Sequence, residues 1–227
     1  YGTRAQFDEI AKLQFVDRLE PVQRSWRKTQ PLNVSEQPVT PDTTPQDTRS
    51  INYGLSQTQL QQINLIALHD AGYTGQGVIV GILDTGSRRD PSAFTTPAKP
   101  VQVLAEYDFV ANDNNTAPQA GDPSTQHDHG TMILGCIGSY LPGTLVGGAF
   151  DARFVLAKTE DTSQEVPAEE DDYVAGLQFT EANGVDMTTA SLGYIDWYTQ
   201  AQMNGVTAVT SIAMNIHTAN GVHHTNA

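Results

Sequence analysis

The strongest constraint on this chain is the segment 77–86, Gly-Val-Ile-Val-Gly-Ile-Leu-Asp-Thr-Gly. Residues 78–83 are apolar apart from one glycine, rich in β-branched side chains, and bounded by Gly77 and Gly86. A strand with one wet face alternates polar and apolar residues, whereas a strand covered on both faces does not. The run therefore predicts a fully buried strand. It ends on Asp84, a carboxylate that is expensive to bury unless something hydrogen-bonds it or uses it. Two readings stand at this point: an aspartate capping the next turn, and an aspartate with chemistry to perform.

Around this strand the pattern alternates between strands and helices. Residues 6–13 read as a short helix and 15–22 as an imperfectly alternating strand; 29–50, dominated by Pro, Thr, Gln, Asp and Ser, read as an exposed linker. Order returns at Leu55, and Leu60, Ile63, Leu65, Leu68 and His69 fall near helical spacing before Ala71-Gly72. Further strands are expected at 101–110, 152–158, 185–192 and 222–227. A long polar loop is expected at 111–128 and an acidic loop at 159–172. Helices are expected after His129, over 171–183, and around Val206, Val209, Ala213 and Ile216. Such alternation predicts an α/β fold with a mainly parallel sheet and helices on both faces. Sites in these sheets form at the carboxyl ends of the strands, where Asp84 falls.

Two further motifs follow. His129-Gly130-Thr131 opens an apolar helix, and Ser191-Leu192-Gly193 closes the strand that follows Gly184-Val185-Asp186. Asp-Thr-Gly after a buried strand, His-Gly-Thr opening a helix and Ser-Leu-Gly closing a strand, in that order, resemble the subtilisin-like serine peptidases. The likeness runs from about Gln59 to Ala227. It implies a subtilisin-like α/β domain, truncated, with residues 58–227 forming the N-terminal part of the peptidase domain and 29–57 a linker. Residues 1–28 are then either a plain N-terminal extension or the remnant of an inhibitory pro-region, whose last strand the Phe-Val-Asp-Arg-Leu-Glu-Pro-Val stretch resembles.

Serine-based peptide hydrolysis needs a base for the hydroxyl proton, a carboxylate to hold that base and donors for the developing oxyanion. By resemblance, Asp84 is the orienting carboxylate and His129 the general base. The positive end of the helix dipole would disfavour an imidazolium there. Ser191, Leu192 and Gly193 resemble the segment whose backbone pairs with an extended peptide as an added strand. The family's Gly-Thr-Ser-Met-Ala and Ala-Gly-Asn motifs do not occur in the chain, and Asn226 lacks the glycine that precedes the oxyanion asparagine. The nucleophile is thus expected outside the chain, and this fragment alone is expected to be inactive. The family further implies a protein or peptide substrate, contact with its own pro-region, and a secreted or extracellular enzyme whose signal peptide is not in this chain. Two alternatives stay open: a subtilisin-like shell kept for binding, and an aspartic peptidase built on a pair of Asp-Thr-Gly motifs, of which the chain carries one.

The formal net charge of −14 repels phosphate, so neither nucleic acid nor an anionic membrane is expected as a partner. No apolar run is long enough to span a bilayer. Cys136, the only cysteine, permits no intrachain disulfide and reads as a small buried hydrophobe. His69 reads as a helix-end dipole partner or surface group, and residues 169–172 as a solvated acidic patch. No cofactor is certain. His127-Asp128-His129 has a metal-ligand spacing without a third ligand. Asp113, Asp122 and Asp128 could hold calcium, although their spacing matches no standard loop. His223 and His224 have no account where a buried strand is expected. Substrate preference is not legible.

Overall fold

A computed structural model describes residues 3–14, 16, 19 and 51–227. Apart from residues 16 and 19, the strand expected at 15–22 falls outside the described residues, as does the linker at 29–50. The N-terminal helix α1 spans Arg4–Ile10, closed by a capping box between Thr3 and Gln6.

From residue 51 the described elements follow in this order: α2 (Gln57–Gln62), α3 (Leu65–Asp70), β1 (Ile79–Asp84), α4 (Ser92–Thr95), β2 (Gln102–Asp108), α5 (Asp128–Gly138), the short strands β3 (Tyr140–Leu141) and β4 (Leu145–Val146), β5 (Arg153–Lys158), α6 (Glu169–Ala182), β6 (Met187–Ala190), α7 (Val209–Ala219) and β7 (His223–Asn226). Strands β2-β5-β1-β6-β7, in that spatial order, form one sheet whose neighbours all pair in parallel. Strands β3 and β4 form a separate antiparallel pair.

The run around Ile82 is the central strand, and it is covered on both faces. Val80 and Ile82 pack with Phe94, Leu134 of α5, Phe154 and Leu156. Leu83 points into the other core, with Ala157, Tyr173 and Leu177 of α6, Ala190 and Tyr194. Two hydrophobic layers on one strand explain the missing alternation. Strands β5 and β6 flank the central strand, and Asp84 closes it at the carboxyl edge of the parallel sheet.

Three expectations are corrected here. The helix expected across residues 60–69 is broken, because Asn64 adopts a left-handed conformation, φ 57, which asparagine tolerates better than most residues. His69 is no surface group. It is 7% exposed, with Nδ1 2.9 Å from the Tyr53 hydroxyl and Nε2 2.9 Å from the Gly148 carbonyl. The carbonyl can only accept, so Nε2 donates and Nδ1 takes the Tyr53 proton. Tyr53, placed by sequence in the linker, is therefore buried with it at 1% exposure. Cys136 is exposed rather than buried: α5 turns Leu134 and Gly138 inward, and a residue two positions from each lies on the opposite side.

Of the histidine pair, His223 is exposed and His224 finds its place. His224 Nδ1 lies 2.7 Å from Thr188 Oγ1 on the neighbouring strand, and Nε2 3.0 Å from the Tyr173 hydroxyl of α6. Thr188 Oγ1 also meets His217 Nε2 of α7 at 3.1 Å. This polar chain ties β6, β7, α6 and α7 together. Burial, then the neighbouring His217 and His223, pushes His224 down to about 4.

Candidate active site

Asp84 closes the central strand and is 2% exposed. Its Oδ1 accepts from the Thr85 backbone N–H at 2.7 Å and from Thr85 Oγ1 at 3.1 Å. The third contact of that oxygen is His129 Nδ1, at 2.8 Å across 45 positions. With a carboxylate as partner, Nδ1 carries the proton and donates it. The hydrogen bond to Asp84 holds the imidazole above its ordinary value, burial working against it and the carboxylate's charge with it. The helix terminus was expected to favour the neutral ring; the net direction is upward, with the bond to Asp84 as its largest cause.

The tripeptides around both residues are dictated by how closely two elements approach. His129 stands in the first turn of α5, and that turn lies against the bend after β1. A side chain on Gly130 would put its Cβ 2.0 Å from the Gly86 carbonyl oxygen, so only glycine lets the helix this near. Gly130 N–H donates to Thr85 Oγ1 at 3.0 Å, so Thr85 serves helix and aspartate together. Gly86, at φ +85, faces the His127 ring where a Cβ would be 2.8 Å from Cδ2. Thr131 Oγ1 donates to the His127 carbonyl at 2.5 Å and accepts from Arg88 N–H at 2.8 Å. Gln126, 1% exposed, donates to the Thr85 and Glu160 carbonyls. Its Oε1 accepts from the Thr162 N–H and hydroxyl, both at 2.9 Å.

Behind this pair lies a charge cluster that the sequence reading missed. Lys158 ends β5, in register with Asp84 on one side and Asp108 on the other. Its Nζ, with the side chain 1% exposed, is 2.8 Å from Asp108 Oδ2 and 3.3 Å from Asp122 Oδ1. The first contact is an ion pair without hydrogen-bond alignment. His127 Nε2 lies 3.6 Å from Asp122 Oδ2. Burial, then the charge of Lys158, pushes His127 down. Asp122 stays below its ordinary value: burial raises it, but the Gln119 N–H and Lys158 prevail. The one available signal was a lysine ending the apolar run Phe-Val-Leu-Ala.

The loop aspartates do not gather. Asp122 belongs to Lys158, Asp113 accepts from Gln119 at 2.9 Å, and Asp128 is 3.8 Å from Arg88. His127 and His129 likewise go to different partners. Among the described residues, the group close enough to share a cation is Glu160, Glu165 and Glu169, whose ligand oxygens lie within 4.8 Å of one another. The oxygens of Glu160 and Glu169 are taken up by protein donors. Glu160 accepts from the Tyr194 hydroxyl, and Glu169 from the backbone N–H of Asp161 and Val166 at 3.1 and 2.9 Å.

The acidic start of α6 is not a solvated patch at its first two positions, while Asp171 is exposed. Glu169 and Glu170 are 2% and 5% exposed. Glu170 accepts from Trp197 Nε1 at 2.9 Å and the Tyr198 hydroxyl at 2.8 Å. Burial, then the charge of Glu169, raises Glu160 well above the ordinary range. Burial brings Glu169 to about 7 and, with Asp171 next, Asp172 to about 6. These carboxyls hold protons in the folded protein that the unfolded chain releases near 4–4.5. Their stabilisation is complete below that range and is lost as pH rises through 6 and 7. His224 acts in the opposite sense, its contribution being lost as pH falls from about 6.5 to 4. The histidines titrate over the same range, so the carboxyl is isolated by difference: the unfolding midpoint of an activity-blocked protein, taken relative to its Glu169→Gln variant, should rise by about 2–4 °C between pH 8 and 6. A difference that stays flat or falls toward pH 6 contradicts the burial assigned to Glu169.

Ser191 directly follows β6, whose Ala190 pairs with Leu83, so Ser191 and Asp84 each follow one paired position at the same sheet edge. Ser191 and Leu192 are half-buried and Gly193 is exposed, with open space where a Cβ would project. Asn226 donates from Nδ2 to the Leu192 carbonyl at 2.9 Å, which bonds β7 to this segment.

A family model described as the Subtilase family matches residues 75–223, and the chain belongs to that family. It is 33% identical over 153 residues to the minor extracellular protease Vpr of Bacillus subtilis (strain 168), covering 63% of this chain and 18% of that protein. It is 34% identical over 96 residues to proprotein convertase subtilisin/kexin type 4 of Rattus norvegicus, 41% of this chain and 13% of that one. The crystal structure of a cold adapted subtilisin-like serine proteinase superposes with a TM-score of 0.48 at 19% identity, over 68% of this chain and 47% of the other. The chain thus spans less than a fifth of the length of either curated relative.

Proposed function

We propose that the chain provides the aspartate and histidine of an Asp-His-Ser triad in a serine endopeptidase, with the serine lying outside residues 1–227. The observation that carries this reading is the 2.8 Å contact between His129 Nδ1 and Asp84 Oδ1. Asp84 holds the ring in one tautomer and stabilises the imidazolium formed when His129 takes the serine proton. The upward shift of His129, caused first by that hydrogen bond, suits the role. His129 then returns the proton to the leaving amine. Ser191, Leu192 and Gly193 offer backbone to an extended peptide substrate, and Gly193 leaves room beside it for a substrate side chain. A secreted or extracellular setting fits the description of Vpr as an extracellular protease. The aspartic alternative is not supported, because the carboxylate of the single Asp-Thr-Gly bonds a histidine.

The whole protein should hydrolyse peptides and lose that activity to a serine-directed acylating reagent. A chelator should leave the hydrolysis in place. Hydrolysis untouched by the reagent overturns the reading, and a folded whole protein without hydrolysis favours the binding-shell alternative.

A further inference from the structure

Asp84 spends all its described hydrogen bonds on one oxygen. Oδ1 meets the His129 ring and both Thr85 donors, while Oδ2 is buried without a hydrogen-bond partner. Three residues on, Ser87 is 3% exposed, and its hydroxyl is likewise buried without one. The two atoms are complementary, since a carboxylate oxygen only accepts and a hydroxyl can donate.

Both residues line one cavity of ≈ 10 Å³, whose apolar wall includes Ile82, Leu134, Leu156 and Ala157. Polar atoms against such a wall are costly to bury unless they are joined. The cavity volume is about the smallest that admits one water molecule. The carboxylate turns about its Cβ–Cγ bond, which moves both oxygens, so a contact at Oδ2 would add to the hold that the three contacts at Oδ1 have on its plane.

We propose that Ser87 is a positioning residue: through one water held in this cavity, its hydroxyl anchors Asp84 Oδ2 and fixes the carboxylate plane against His129. The water accepts from the Ser87 hydroxyl and donates to Oδ2, and no proton is transferred. The inference rests on the peptidase reading, because a fixed plane matters only if His129 must be held in one orientation.

The test uses the whole protein carrying Ser87→Val or Ser87→Ala. Valine fills an apolar-walled space and supplies no donor, so kcat should fall about tenfold with KM changed less than about twofold. Its unfolding midpoint should be equal or higher. Alanine should lower kcat in the same sense by less, and it decides the matter if the valine variant does not fold. Wild-type kcat in the folded variants overturns the inference, as does a fall in kcat that merely follows a fall in midpoint. His129→Ala, measured alongside, separates the two claims. Retained hydrolysis there removes the peptidase reading and this inference with it. Lost hydrolysis there, with normal kcat in the Ser87 variants, removes the Ser87 role alone.

Discussion

Replacing His129 with alanine in the whole protein should lower kcat/KM for peptide hydrolysis by about 10⁴-fold or more. The ring is the base in the proposed mechanism, and nothing beside it among the described residues can replace it. His127, two positions earlier, is turned inward against Gly86 and Asp122. The fold should survive, because the His129 side chain is 27% exposed and Asp84 keeps both Thr85 donors. Steady-state kinetics with a thermal unfolding control check both halves. A folded variant that keeps most of its activity contradicts the triad.

The largest effect on stability is expected at Lys158. Lys158→Met removes the cation from a side chain 1% exposed and leaves Asp108, 0% exposed, without its ion-pair partner. Breaking one half of a buried pair typically costs about 3–5 kcal/mol, a large share of the roughly 5–15 kcal/mol that holds a domain folded. For a domain of this size the midpoint should drop by about 10 °C. The comparison is made in the His129→Ala background, so that self-digestion does not blur the transition. Adding Asp108→Asn should recover part of the loss, because it removes the stranded charge and keeps an oxygen for the Ala111 N–H. A single variant within about 1 kcal/mol of the parent contradicts the cluster's role in holding residues 109–127 to the sheet.

What the sequence disclosed depended on whether each cause was local. The central strand was legible because burial on both faces removes alternation, a property of six adjacent residues. The contact between Asp84 and His129 was legible from the motifs around them: Gly86 and Gly130 are required by a single close approach, and Thr85 and Thr131 by the hydrogen bonds that secure it. Lys158 was not, since Asp122 meets it only after the long loop folds back across 36 positions. His69 was misjudged for the same reason, its carbonyl partner Gly148 lying 79 positions away. Helical periodicity alone could not say which side of α5 faces the sheet, and Cys136 was assigned to the wrong one. Glu169 and Glu170 read as solvated because charge usually is. Their burial is sustained by backbone N–H groups at residues 161 and 166 and by aromatic donors at 197 and 198, which composition does not reveal.

The most direct test is to treat the whole protein with a fluorophosphonate reagent and locate the adduct by mass spectrometry, with and without His129. The account predicts one modified serine outside residues 1–227 and its near-complete loss in His129→Ala, because the serine needs that base to react. Peptide hydrolysis by a protein with no modified serine, or labelling unchanged without His129, would contradict it.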